Sequence, residues 1–225
     1  MQELIKGNKR FREKKFPELK ENVEKLVKDG QKPEVLFIGC SDSRVTPDIM
    51  LDVNPGDMFI LRNVGNFVPP FKCDEDYHGS AAAIEYAVSV LEVKHIIVCG
   101  HSHCGACQSL YTEIPLEKEK VVHVKKWLEL GSKAKERTLS LIKDPNDKEK
   151  LYRLTEKISV TYQLKNLLTY PDVKRRVDNG SLQIHGWYYK LEDGSIDCYD
   201  QETQKFKNLE ECINGKWSQK NTKKK

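Results

Sequence analysis

Several things are scarce in this sequence, and each scarcity removes a class of protein. No apolar run approaches the roughly 20 residues that a helix needs to cross a bilayer. The opening Met1-Gln2-Glu3-Leu4-Ile5-Lys6 has no long apolar segment of the kind a secretory leader carries. The expectation is a cytoplasmic protein with no membrane association. Charge of one sign is not in excess either. The 38 basic and 34 acidic residues leave a net charge of +4, too mild to argue for a nucleic-acid partner. Internal repeats and long linkers are missing. The seven cysteines are odd in number and follow no disulfide-framework spacing, so thiols or metal ligands are expected rather than bridges. The first strand is not followed by a Gly-x-Gly-x-x-Gly turn, which argues against a dinucleotide-binding oxidoreductase.

What is present is a chain of 225 residues, long enough to bury a core without staples. Residues 1–30 are charged, with Leu19, Val23, Leu26 and Val27 at helical spacing. They read as an N-terminal helical arm whose Phe11 and Phe16 can pack on the same domain or on a second subunit. Residues 31–215 read as one α/β domain, and 216–225, ending in Lys223-Lys224-Lys225, as a basic, flexible tail. Strands are expected at Val35-Leu36-Phe37-Ile38, Met58-Phe59-Ile60-Leu61, Ile96-Ile97-Val98-Cys99 and 182–189. A hairpin turn at Glu192-Asp193-Gly194 leads into Ser195–Tyr199. Helices are expected over Gly79–Leu91, with Ala82, Ala83, Tyr86, Ala87, Val90 and Leu91 on the buried side, and over Leu151–Tyr170, ended by Pro171. Residues 113–150 read as largely exposed helix broken at Asp144-Pro145-Asn146-Asp147. Strands alternating with helices predict a mostly parallel four-stranded sheet flanked by helices, with an added antiparallel edge strand.

The chemistry gathers at two strand ends. Ile96-Ile97-Val98-Cys99 runs into Gly100-His101-Ser102-His103-Cys104-Gly105, and Val35-Leu36-Phe37-Ile38 runs into Gly39-Cys40. In open α/β sheets ligands sit beyond the carboxyl ends of strands, so Cys40, His101 and Cys104 can converge although about 60 residues separate the two motifs. Two thiolates and one imidazole form a zinc set with one position open, the mark of a catalytic site. A third thiol, Cys107, is placed to close it, and His103 is a further candidate ligand. Asp42 and Arg44 lie in the loop beside Cys40. There a carboxylate can accept a hydrogen bond from metal-bound water while a guanidinium fixes its orientation.

Gly39-Cys40-Ser41-Asp42-Ser43-Arg44-Val45 and Gly100-His101-Ser102-His103-Cys104-Gly105 resemble the two signature motifs of the β-class carbonic anhydrases. The likeness runs from about Gln31 to His185-Gly186-Trp187-Tyr188-Tyr189. It implies a zinc lyase that interconverts CO2 and bicarbonate through zinc-bound hydroxide. One Zn2+ per subunit would be held by Cys40, His101 and Cys104, with Asp42 paired to Arg44. His103 and Cys107 fall outside the ligand set so implied. By their offsets from the motifs, Gln31, Phe59, Val64 and Tyr86 match residues that line an apolar CO2 site across a dimer interface in the plant-like subgroup. The other subgroup has a tryptophan where Phe37 stands. The family assembles as homodimers, often paired into tetramers, and residues 1–30 would then embrace the partner subunit. Two rival functions remain at this point: hydrolysis of another small cumulene such as carbon disulfide or carbonyl sulfide, and a non-enzymatic zinc module closed by Cys107.

Overall fold

Runs that are apolar at every position, rather than at alternate ones, belong to strands buried on both faces. The two most apolar runs of this chain occupy the middle of its sheet. The structure is a computed structural model and describes residues 1–74, 76–112, 114, 117 and 120–214. The basic tail expected at 216–225 lies outside the described residues. The chain begins with α1 (Gln2–Arg10), a π-helical turn (Phe11–Lys15) and α2 (Phe16–Asp29). It continues through β1 (Val35–Cys40), α3 (Pro47–Met50), β2 (Met58–Asn63) and α4 (Gly79–Glu85), which runs on into a π-helical turn at Tyr86–Val90. Then follow β3 (His95–His101), α5 (Gly105–Gln108), α6 (Val122–Leu128), α7 (Ser132–Leu141), α8 (Lys148–Leu167), α9 (Pro171–Asp178), β4 (Gln183–Tyr189), β5 (Ile196–Asp200), β6 (Lys205–Asn208) and α10 (Leu209–Asn214).

The sheet has six strands in the order β2-β1-β3-β4-β5-β6. The first four are parallel, as expected, and β5 and β6 add to them antiparallel. The edge is therefore β6 and not β5. Its four residues, Lys205-Phe206-Lys207-Asn208, are too short and too charged to stand out as a strand. The chain passes from β1 to β2 on one side and returns to β3 on the other. The crevice at the carboxyl ends of β1 and β3 is thus the topological switch point, where ligands bind in open α/β sheets.

On one face of the sheet Leu36, Ile38, Ile96, Val98 and Ile184 pack against Ile84, Ala87 and Val88 from the α4 segment and against Val160, Leu164 and Leu167 of α8. Burying each such side chain contributes about 1.5–3 kcal/mol. The opposite face, centred on Phe37, Ile97 and Cys99, is more thinly covered, and Met58, Ile60, Trp187 and Tyr189 stay half-buried along it. α1 and α2 bury none of their residues within this chain. Their footholds include Asn22 Nδ2, which donates to the Pro55 carbonyl at 2.9 Å, and Leu26, which lies against Gly56.

Two expectations are corrected and two are refined. Ala82, Tyr86 and Val90 face outward, and the buried side of the α4 segment carries Ile84, Ala87 and Val88, which pack against the sheet and α8. Pro171 does more than end α8: it occupies the first turn of α9, where its missing N–H costs nothing. Within 113–150 the described residues include two short helices, α6 and α7, joined by a 3-10 turn at Glu129–Gly131. The break in this stretch ends at Asp147, whose side chain caps α8 by accepting from the Lys150 N–H. Cys198 and Cys212, expected as free thiols, are joined in a disulfide, because the β5–β6 hairpin returns α10 beside β5 with the two Cα atoms 6.6 Å apart.

Candidate metal centre

β1 and β3 are adjacent and parallel, with Gly39 opposite Cys99, so their last residues, Cys40 and His101, emerge at the same edge. Past His101 the chain turns sharply. His103 takes a left-handed conformation at φ 58°, and Cys104 follows as the N-cap of α5. Cys40, His101 and Cys104 are 5%, 0% and 1% exposed, and their ligand atoms all lie within 4.8 Å of one another. His103 is turned away, with its Nε2 2.7 Å from Glu192 Oε1.

The donors suit a metal. His101 Nδ1 lies 2.8 Å from the Ser102 carbonyl, an acceptor, so that nitrogen carries the proton and Nε2 keeps its lone pair. Nε2 is buried and has no hydrogen-bond partner, a costly state for a polar atom unless something else binds it. Two backbone donors, the N–H groups of Asp42 and Gly65, each reach Cys40 Sγ at 3.4 Å. The hydrogen bond with Cys104, and then burial, push the Cys40 thiol up to about 12, so a divalent cation entering the site must displace protons. Two sulfurs and one imidazole are donors that zinc accepts. Cys107, although buried nearby, is not in the group that can converge on one ion. A second cluster, Asp74, Asp76 and His78, is largely exposed, and the His78 ring is hydrogen-bonded to Asp74.

Beside the cluster Arg44 grips Asp42 in a fork. Nε donates to Oδ1 at 2.9 Å and an Nη donates to Oδ2 at 2.8 Å, while the Arg44 backbone N–H adds a third bond at 3.0 Å. These bonds hold the Asp42 carboxyl well below the usual carboxylate range. The same guanidinium reaches the His103 carbonyl, tying the two motif loops together. Arg62 pins the first loop from β2, donating to the carbonyls of Cys40 and Asp42 at 2.9 and 2.7 Å.

Glu156 is a residue that sequence reasoning missed. It lies on α8 at 1% exposure, where Oε1 accepts the Cys104 N–H at 3.0 Å and Oε2 accepts the Tyr188 hydroxyl proton at 2.8 Å. Arg153 lies 3.1 Å from the same carboxylate, yet burial pushes the Glu156 carboxyl up to about 7. A signal was available: Thr155, Glu156, Ser159 and Gln163 form a polar seam on the buried side of an otherwise apolar helix face.

Gln31, Phe59 and Tyr86 fall elsewhere. Gln31 is exposed in the loop before β1, and Phe59 pairs with Leu36 in the sheet register. Leu36 is four residues from Cys40, or about 13 Å at strand rise. The Phe59 and Tyr86 rings are 5.8 Å apart, and Tyr86 is 44% exposed. Val64 follows β2 directly, next to Gly65, and its carbonyl accepts the Trp127 indole N–H at 2.7 Å.

What stands at the switch point is a buried group of two thiols and one imidazole that fits a single zinc ion, with a clamped carboxylate at its edge. The carbonic anhydrase family model matches residues 35–196. A carbonic anhydrase of Helicobacter pylori strain J99 is 36% identical over 220 residues, covering 97% of this chain and 99% of that protein. Among solved structures, the β-carbonic anhydrase CcaA superimposes with a TM-score of 0.83 at 38% identity, over 92% of this chain and 91% of that one. One of the two tetrameric β-carbonic anhydrases of the ascomycete Sordaria macrospora gives a TM-score of 0.73 at 30% identity, over 88% of this chain and 95% of that one. This chain belongs to the carbonic anhydrase family, in its β class.

Proposed function

We propose that this chain catalyses the reversible hydration of CO2 to bicarbonate and a proton, with Cys40, His101 and Cys104 holding one zinc ion per subunit. The observation that carries this reading is the unpartnered lone pair of His101 Nε2, buried beside two thiols. When bound, zinc supplies the Lewis acidity that yields a nucleophile from water at neutral pH. Asp42, kept ionised and in one orientation by Arg44, accepts a hydrogen bond from the attacking water and aims its remaining lone pair at the carbon. Arg62 keeps the Cys40–Asp42 backbone fixed while this happens. Gln31 donates a hydrogen bond to a substrate oxygen, and Phe59, Val64 and Tyr86 give CO2 an apolar wall. The released proton passes to buffer.

Gln31, Phe59 and Tyr86 lie toward the far end of β1 from Cys40, so we assign them to the metal centre of a second subunit. The exposed apolar positions Leu4 and Val27 of the arm, and the half-covered second sheet face, support a homodimer with residues 1–30 as the embracing arm and 31–215 as the catalytic domain. A dimer of dimers extends the same scheme. The four pocket positions, with Phe37 where the other subgroup has tryptophan, favour the plant-like subgroup. Among the described residues no helix is long and apolar enough to cross a membrane. Stopped-flow assays of CO2 hydration, with CS2 and carbonyl sulfide as competing substrates, test the reaction. Hydration above buffer that vanishes with zinc removal is expected. No CO2 hydration with zinc in place would overturn the proposal.

A further inference from the structure

Cys107 is a buried nucleophile that the hydration chemistry leaves unused. It closes the run Cys104-Gly105-Ala106-Cys107, with Cys104 at the N-cap of α5 and Cys107 in its first turn. Side chains three positions apart on a helix share a face, with Cβ atoms about 5–6 Å apart. Both cysteines belong to the small apolar cluster that also holds Cys40, Phe67, Ala106 and Leu128, and they are 1% and 3% exposed. The turn between them has room to adjust, because a Cβ built on Gly105 meets nothing within 4 Å. Cys40 is less favourably placed to bond to Cys104. It sits at the end of a central strand, its sulfur accepts two backbone N–H bonds, and its carbonyl is held by Arg62.

We infer that Cys104 and Cys107 are a reversible disulfide pair, and that closing it withdraws one of the three zinc ligands and expels the ion. This rests on the reading of Cys40, His101 and Cys104 as the zinc site. The oxidant is a hydroperoxide, for which hydrogen peroxide is the simplest probe, small enough to follow the path that CO2 and water must take. The Cys104 sulfur, a thiolate while zinc holds it, attacks the O–O bond, an S–O bond forms as the O–O bond breaks, and the departing hydroxide takes a proton from solvent and leaves as water. The Cys107 sulfur then attacks the sulfenic sulfur. An S–S bond forms, the S–O bond breaks, and a second water carries off the Cys107 proton. The two sulfurs together lose two electrons, the peroxide is reduced to two waters with the Cys107 proton and one solvent proton, and zinc leaves as Zn2+ unchanged in oxidation state. A dithiol reductant reverses the step. Without a resolving thiol, a sulfenic acid at Cys104 is open to irreversible over-oxidation.

The test treats the zinc-loaded full-length protein with hydrogen peroxide. Released zinc is followed with a chromophoric chelator, and disulfides are mapped by mass spectrometry of non-reducing digests, which separates this pair from Cys198–Cys212. The expected result is one zinc released per Cys104–Cys107 disulfide formed, both reversed by dithiothreitol plus zinc. Cys107→Ala and Cys107→Ser should bind zinc at the wild-type ratio. They should then lose it to peroxide irreversibly, with Cys104 recovered as sulfinic or sulfonic acid. Zinc release with a Cys40–Cys104 disulfide, or with no disulfide, overturns the inference while leaving the zinc site standing. A wild-type zinc content that Cys104→Ser does not lower overturns both. The wild-type mapping decides the matter even if the Cys107 variants fail to fold.

Discussion

The carboxylate of Glu156 and the backbone N–H of Cys104 meet at 3.0 Å inside the protein, so a helix 52 residues further along the chain sets the position of a proposed zinc ligand. The same carboxylate takes the Tyr188 hydroxyl at 2.8 Å from the last parallel strand. Glu156 therefore braces α8, β4 and the second motif loop against one another. Glu156→Ala removes both acceptors and leaves a buried N–H and a buried hydroxyl unpaired. Loss of such outer partners lowers metal affinity by about 10–100-fold. Competition against a zinc chelator should show a loss of that size, and Glu156→Gln, which keeps one carbonyl acceptor, should lose less. Equal zinc affinity in all three proteins would show that the brace is irrelevant to the metal.

Asp42→Asn tests the role of the clamp separately from metal binding. The substitution keeps the shape but removes the charge and one of the two acceptors that Arg44 engages. Zinc content measured by atomic absorption should stay at the wild-type ratio, because Asp42 is not among the three donors. CO2 hydration should fall at least about tenfold, the lower end for losses just outside the metal shell. Unchanged turnover would make the Asp42–Arg44 pair a structural element of the loop.

A pH effect is expected away from the metal. His185 lies 3.1 Å from His95 across β3 and β4, and burial, helped by His95, pushes its pKa down to about 4 from 6.5. Between those values the unfolded chain takes up a proton that the folded chain refuses. Stability is therefore complete above about pH 6.5 and declines as the pH falls towards 4. The contribution lost between pH 7 and pH 5 is at most about 2 kcal/mol. Urea unfolding midpoints at those two pH values should lie closer together in His185→Gln than in the wild type. A wider separation in the variant would reverse the sign and refute the assignment.

The parts of this molecule that follow from local pattern could be read before the fold was seen. Val35–Cys40 and Ile96–His101 announce buried parallel strands, and parallel strands necessarily bring their carboxyl ends to one edge, so the convergence of Cys40, His101 and Cys104 follows from pattern alone. Asp42 and Arg44 are two residues apart and their fork is equally local. What escaped depends on distant partners or on subtle backbone changes. Glu156 looks like one more charged residue of an amphipathic helix until β3 and β4 are packed against it. Arg62 acts through two backbone carbonyls, which no side-chain motif encodes. The His95–His185 contact requires the β3–β4 register, and the Cys198–Cys212 bond requires the return of α10 over a four-residue strand. The buried face of the α4 segment, with Ile84, Ala87 and Val88 inward, is set by its packing on the sheet and α8, which its run of small residues does not announce.

The central claim is a zinc centre with three protein ligands and one position left for water, and X-ray absorption at the zinc K-edge of the metal-loaded protein tests it most directly. Two sulfurs at about 2.3 Å and two nitrogen or oxygen donors at about 2.0–2.1 Å are predicted for the first shell. Three sulfurs and a single light donor would place Cys107 on the metal, close the site and contradict the account.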